Sequence, residues 1–260
     1  MYVPPAEALS ALSHVPCGHR LANRPTIGTL YSLVPASALA EALQRGTKHH
    51  RHIDLRREIH LHLILLGAPG SGKGTQAARL LGHYKLAHIS TGELLREAVA
   101  SESDFGVLVK HYLGAGRLVP DHHVTTLVEE RLSRTDAKNG FIMDGYPRTK
   151  PQMESFDEIM SGKGITLDGI VLIQVPDDVV LARLSGRRID PKTGRTYNLN
   201  LHGDHPDPNV VSRLEQRDDD RPDVILKRLD IFHRETDSVI DHYKSLKQLI
   251  FVDGDRPPDA

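Results

Sequence analysis

The chain has 260 residues, with 33 Lys and Arg against 34 Asp and Glu for a formal net charge of -1, and a single cysteine, Cys17. That length suits one well-filled α/β domain with small insertions and excludes two large domains. The balanced charge supplies no global field for nucleic acid or an anionic membrane, and one cysteine excludes an internal disulfide and a thiolate-bound zinc or iron–sulfur centre.

Residues 1–58 read as an appendage, because Pro4, Pro5, Pro16, Pro25 and Pro35 interrupt the pattern before a short helix at Ala36–Arg45 and a basic run, Lys48-His-His-Arg-His52. Arg20 and Arg24 faintly suggest a mitochondrial address, but the prolines spoil the amphipathic helix it needs, so a cytoplasmic location is expected and a mitochondrial one is the alternative. His49, His50, His52, His60 and His62 lack the spacing that aims imidazoles at one ion and read as solvated loop residues. No apolar stretch approaches the roughly 20 residues needed to span a bilayer. From Leu61 to Leu66 a short apolar run predicts a strand, and Thr75–Leu81 carries apolar residues at helical spacing. Further short runs at His88–Ser90, Gly140–Met143, Ile170–Val175 and Leu249–Val252 alternate with helical segments, the pattern of a parallel sheet with helices on both faces. Ile189–Gln216 is polar and rich in Pro, Gly and Asp, which suits a hinged flap better than core.

Between the first strand and helix lies Gly67-Ala-Pro-Gly70-Ser71-Gly72-Lys73-Gly74-Thr75. Backbone N–H groups and the positive end of a helix dipole converge there, and glycines let the chain wrap closely around phosphate oxygens. Lys73 would face the β and γ phosphates, with Thr75 as the nearest hydroxyl for Mg²⁺ or phosphate. The strict Walker pattern has Ser or Thr directly after the lysine; here Gly74 intervenes.

This loop resembles that of adenylate kinases and related nucleoside monophosphate kinases. Four further stretches carry the resemblance: His88-Ile-Ser-Thr91-Gly-Glu-Leu-Leu-Arg96, Arg117-Leu118-Val119, Asp144-Gly145-Tyr146-Pro147-Arg148 with Gln152, and Arg183-Leu-Ser-Gly-Arg187-Arg188 together with the segment Arg217 to Arg228. The match runs from about Leu61 to Arg256. It implies an α/β P-loop three-layer fold over 59–260 with a five-stranded parallel sheet, an acceptor (NMP) flap at 90–119 and a lid at 187–217. It implies reversible transfer of the γ-phosphate of MgATP to AMP, giving two ADP, by a monomer with no nucleic-acid or membrane partner.

By the same resemblance Lys73, Arg148, Arg187, Arg217 and Arg228 are catalytic. Gly70, Ser71, Gly72, Lys73, Gly74, Thr75, Arg183, Arg187, Thr196, Tyr197 and Arg256 hold ATP. Thr91, Arg96, Arg117, Leu118, Val119, Gly145, Tyr146, Pro147, Arg148, Gln152, Arg217 and Arg228 hold AMP. Asp144 steadies Mg²⁺ through water. Tyr197 either stacks on the donor base or packs inside the flap. Some relatives hold a lid zinc with four cysteines; none stands there in this chain, so no zinc is expected and hydrogen bonds from Asp190, Thr193 and Asp207 are expected to hold the flap. Tyr146 stands where Phe is more frequent. Relatives usually continue past Asp253–Pro258 into a final helix, so an adenine pocket left open or covered by the appendage is a further expectation. The rivals are a kinase for another pair, such as GTP with AMP, and a non-catalytic nucleotide-binding scaffold.

Overall fold

The computed structural model describes residues 60–200 and 206–256. The helix expected at Ala36–Arg45 and the basic run at 48–52 lie outside the described residues. Five strands, β1 (Leu61–Leu66), β2 (Ala87–Ser90), β3 (Gly140–Asp144), β4 (Gly169–Gln174) and β7 (Leu249–Asp253), form a parallel sheet in the order β2-β3-β1-β4-β7. The central run Leu63–Leu66 is buried throughout, which is why its sequence is continuously apolar rather than alternating. Leu65 pairs with Asp144, and Asp144 with Ser90, so the carboxyl ends of β1, β3 and β2 finish side by side. In open parallel sheets that edge is where ligands gather.

The helices are α1 (Lys73–His83), α2 (Thr91–Ala100), α3 (Asp104–Gly114), α4 (Asp121–Leu132), α5 (Lys150–Lys163), α6 (Asp177–Gly186), α7 (Pro208–Val211), α8 (Pro222–Ile231) and α9 (Asp237–Ser245). On one sheet face Ile64, Phe141, Met143 and Ile170 pack with Val128 of α4, Phe156 of α5 and Val239 of α9. On the other, Leu63, Leu65, Ile142 and Val171 pack against Ala77 and Leu80 of α1. A third cluster joins Ala68 to Val180 and Leu184 of α6 and Ile225 and Leu229 of α8, tying the phosphate loop to the two helices that carry the later arginines.

The first helix starts two residues before the expected Thr75, because the Gly72 carbonyl already accepts the Gln76 N–H at 3.0 Å. The fourth strand ends at Gln174, one residue before the expected Val175. The polar stretch 189–216 folds around a small antiparallel pair, β5 (Arg187–Ile189) and β6 (Thr196–Asn198), and Ile189 exchanges two backbone hydrogen bonds with Glu215 at 2.8 and 2.9 Å. Among the described residues of 187–217 only Asp190 and Tyr197 are buried, so side-chain hydrogen bonds replace a core there. Asp190 accepts from the Lys192 N–H, from Thr193 Oγ1 and, bidentately at 2.7 Å each, from Arg213. Asp207 caps α7 by accepting the Asn209 N–H at 2.8 Å.

Candidate active site

The chain leaves β1 into a loop whose first glycine, Gly67, has φ 145° and leaves no room for a side chain: a Cβ would sit 2.5 Å from the Ile173 carbonyl oxygen. Gly72, at φ 100°, turns the loop into α1 from the left-handed region. No acidic residue stands in the first turn of α1, so its exposed N–H groups and positive dipole end stay available for an anion. Lys73 folds back over the loop, its Nζ donating to the carbonyls of Gly67 at 2.8 Å and Ala68 at 2.9 Å and reaching Ser71 Oγ at 3.4 Å. Burial pushes its pKa down to about 8, with Arg148, Arg228 and Arg187 adding to the effect and Asp144 opposing it.

Asp144 closes β3 beside this loop, and a Cβ on Gly74 would lie 3.7 Å from its Oδ2. Burial alone would raise its pKa, but His88 and the Lys73 charge hold it below the usual value, so the carboxylate stays ionised. His88 Nε2 lies 3.7 Å from Asp144 Oδ2 and Nδ1 lies 3.6 Å from Glu93; Asp144 above all lifts the imidazole pKa. At 3.7 Å the Asp144 contact is too long for a hydrogen bond and acts through charge when the imidazole is protonated.

The residues expected to hold the acceptor gather on the turn that follows β3. Gly145 has φ 78°, and its carbonyl accepts from Thr91 Oγ1 at 2.9 Å and Arg148 Nε at 2.7 Å. Burial, then the nearby Arg228, pushes Arg148 down to about 10. The Tyr146–Pro147 peptide is cis. Tyr146 is fully buried, its hydroxyl donating to the Gln152 carbonyl at 3.2 Å, with Thr125 Oγ1 3.0 Å away. Gln152 is buried, its Oε1 accepting the Arg148 N–H at 2.9 Å and its Nε2 donating to Asp121 at 2.7 Å. Arg96, on α2, lines an open cleft with Glu93, Glu97 and Ala100, and burial lowers its pKa. Arg117 is exposed, its guanidinium 5.5 Å from the Tyr112 ring centre, while Leu118 is half-buried and Val119 buried.

Between the two sides stand three later arginines, Arg187 at the start of β5, Arg217 in a connecting segment and Arg228 on α8. Arg187 forms a bidentate pair with Asp220 at 2.8 and 2.6 Å, and Asp220 is completely buried. Arg228 donates to the Asp219 carbonyl at 2.8 Å and pairs with the Asp219 carboxylate at 3.0 Å. Arg217 has a buried Nε with no hydrogen-bond partner, and burial followed by Arg187 and Arg96 pushes its pKa down to about 10. Lys73, Arg96, Arg148, Arg187, Arg217 and Arg228 thus lie close enough to act electrostatically on one another.

Other expected residues lie at the margins. Arg183 is half-buried on α6, and its carbonyl accepts from Asn198 Nδ2 at 2.9 Å. Thr75 and Thr196 are exposed. The Tyr197 ring, on β6, is buried under the Arg195 guanidinium, which lies 4.7 Å from the ring centre. Arg256 Nε donates to Asp253 at 3.2 Å near the end of β7. Sequence reasoning passed over Asp219 and Asp220, which hold two of the arginines, and Asp121 and His88. The acidic run directly after Arg217 was the available signal, since carboxylates amid arginines that need aiming are natural counter-ions.

The family profile described as "Adenylate kinase" matches residues 65–248. The adenylate kinase of Shouchella clausii (strain KSM-K16) is 40% identical over 203 residues, covering 75% of this chain and 92% of the relative. The adenylate kinase of Kosmotoga olearia (strain ATCC BAA-1733 / DSM 21960 / TBF 19.5.1) is 42% identical over 197 residues with the same coverage. That of Caldicellulosiruptor bescii (strain ATCC BAA-1888 / DSM 6725 / KCTC 15123 / Z-1320) is 41% identical over 198 residues, again covering 75% and 92%. With the phosphate loop, the sheet order and this similarity in agreement, the chain belongs to the adenylate kinase family.

Proposed function

We propose that the protein is an adenylate kinase that moves the γ-phosphoryl group of ATP to AMP and, in reverse, remakes both from two ADP. The observation that carries the reading is the concentration of Lys73, Arg148, Arg187, Arg217 and Arg228 in one half-buried cluster between the phosphate loop and the turn after β3. Joining two polyanions needs dense positive charge around the transferred group and in-line oxygens; it needs no protein nucleophile. The loop N–H groups and Lys73 grip the donor's outer phosphates. Arg96 and Arg148 grip the acceptor phosphate. Arg187, Arg217 and Arg228 neutralise the charge that develops between them. These cations are half-buried and crowd one another before substrate arrives, so an incoming phosphate replaces repulsion with attraction.

Asp144 would help hold Mg²⁺ with the donor, and the ion would supply charge neutralisation to the transferring group. Asp144 fits that ion: it is held ionised next to the phosphate loop, and one carboxylate completed by phosphate oxygens and water is how Mg²⁺ is usually held. Residues 90–119 act as the acceptor flap and 187–217 as a lid without zinc, whose shape Asp190 and Arg213 maintain; their closure expels water that would otherwise accept the phosphoryl group. A monomer working in the cytoplasm completes the reading, and among the described residues no helix is long and apolar enough to cross a membrane. A rate panel of ATP, GTP, CTP and UTP against AMP, GMP, CMP and UMP tests it. ATP with AMP should give the highest kcat/KM; a better acceptor than AMP, or no transfer at all, would overturn it.

A further inference from the structure

Gln152 stands among the residues the family resemblance assigns to AMP, where a side-chain amide can pair with an adenine edge, and what fixes its direction is a residue on another element. The side-chain amide lies between two groups whose polarity cannot change. The Arg148 N–H only donates, and Gln152 Oε1 accepts it at 2.9 Å. The Asp121 carboxylate, at the start of α4, only accepts, and Gln152 Nε2 donates to its Oδ1 at 2.7 Å. The second oxygen of Asp121 is occupied as well, accepting from Thr149 Oγ1 at 3.0 Å, and that hydroxyl takes the Gln152 N–H at 3.3 Å. Turning the amide over would set its NH₂ against the Arg148 N–H and its oxygen against a carboxylate. Both hydrogen bonds would be lost in a site where Gln152 is only 2% exposed.

We propose that Asp121 is a positioning residue for base choice, holding the Gln152 amide in the one orientation that matches adenine and mismatches a 6-oxopurine. An amide has two hydrogens and two acceptor sites, so these bonds leave one of each for the base. Adenine offers an N6 donor beside an N1 acceptor. Hypoxanthine offers the mirror image, an O6 acceptor beside an N1–H donor. An amide free to turn over serves either edge; an amide fixed by Asp121 serves one. Specificity of this kind comes from leaving polar groups unpaired in the wrong complex rather than from a clash.

The inference rests on Gln152 as base reader, and the test separates the two ideas. Asp121→Asn keeps the shape while allowing position 121 to donate or accept. The kcat/KM ratio of AMP over IMP, with MgATP as donor, should fall about tenfold, the scale of one hydrogen bond to a charged group. KM for AMP should rise more than KM for MgATP. Asp121→Ser, whose hydroxyl also works in both directions and suits a helix start, carries the same expectation should the Asn variant fold poorly. Calorimetric binding of AMP and IMP without donor reads the ratio independently of turnover. If Gln152→Ala lowers the ratio while both Asp121 variants leave it intact, the positioning role is wrong. If Gln152→Ala also leaves it intact, Gln152 does not read the base and the inference falls with that reading.

Discussion

Lys73 carries a charge that the fold holds near its limit. Its pKa is pushed down to about 8, chiefly by burial, from an ordinary 10.5. A base depressed in the folded state contributes its stability in full above about 10.5 and loses it as pH falls through about 8, so between those values this group makes the ligand-free protein more stable as pH rises. Activity runs the opposite way, because only the ammonium form can face phosphate. The kcat/KM for MgATP, which reports the free enzyme, should decline as pH rises through about 8, while kcat holds to higher pH because bound phosphates raise the same pKa. In Lys73→Arg that alkaline limb should vanish; a profile unaltered by the substitution would show that another group sets it. Removing the charge is a separate matter. Lys73→Met should cut turnover by several orders of magnitude, on the scale of deleting a contact to transition-state charge, with an intact circular dichroism spectrum. Near-normal turnover would remove Lys73 from the mechanism.

The elements divide into those legible from periodicity and those that are not. The sheet was legible because parallel strands buried on both faces must be short and apolar, and Leu61–Leu66 is the same strand in sequence and in structure. The phosphate loop was legible because the backbone geometry requires its glycines at 67 and 72 and phosphate binding requires a cation such as Lys73. The interior of 187–217 was readable only as polar, since β5 and β6 are three residues each and neither has an apolar face. Pairings across sequence were out of reach: Asp121 meets Gln152 across 31 positions and Arg187 meets Asp220 across 33, and no local pattern marks either contact. Asp190, by contrast, was expected to help hold the flap, and in the structure it gathers the Lys192 N–H, Thr193 and Arg213 onto one buried carboxylate. With Tyr197 the one other buried residue among those described there, Asp190→Ala should loosen this segment without unfolding the sheet. Hydrogen exchange at Ile189 and Glu215 should accelerate by roughly tenfold or more, exchange in β1 and β3 should stay as it was, and KM for ATP should rise. Equal acceleration in β1 would mean that the flap and the sheet open as one unit.

At the scale of the whole molecule, a net charge of -1 hides a strongly polarised interior. Six cations share one region, and the buried Asp220 with the half-buried Asp144 and Asp219 answers only part of that charge. The ligand-free fold therefore bears a repulsion that an anion can relieve, which links stability to phosphate binding. Tripolyphosphate at millimolar concentration tests the link, because generic salt effects are negligible there. At ten times its Kd it should add about 1.4 kcal/mol to the unfolding free energy. For a domain of this size that raises the melting temperature by roughly 3–6 °C. The rise should saturate, weaken with added sodium chloride, and shrink in Lys73→Met and in Arg228→Met, since each deletes part of the charge that the anion answers. A rise linear in concentration and identical in both variants would place the anion on the general surface. It would also mean that the clustered guanidinium groups already find enough compensation in Asp219 and Asp220.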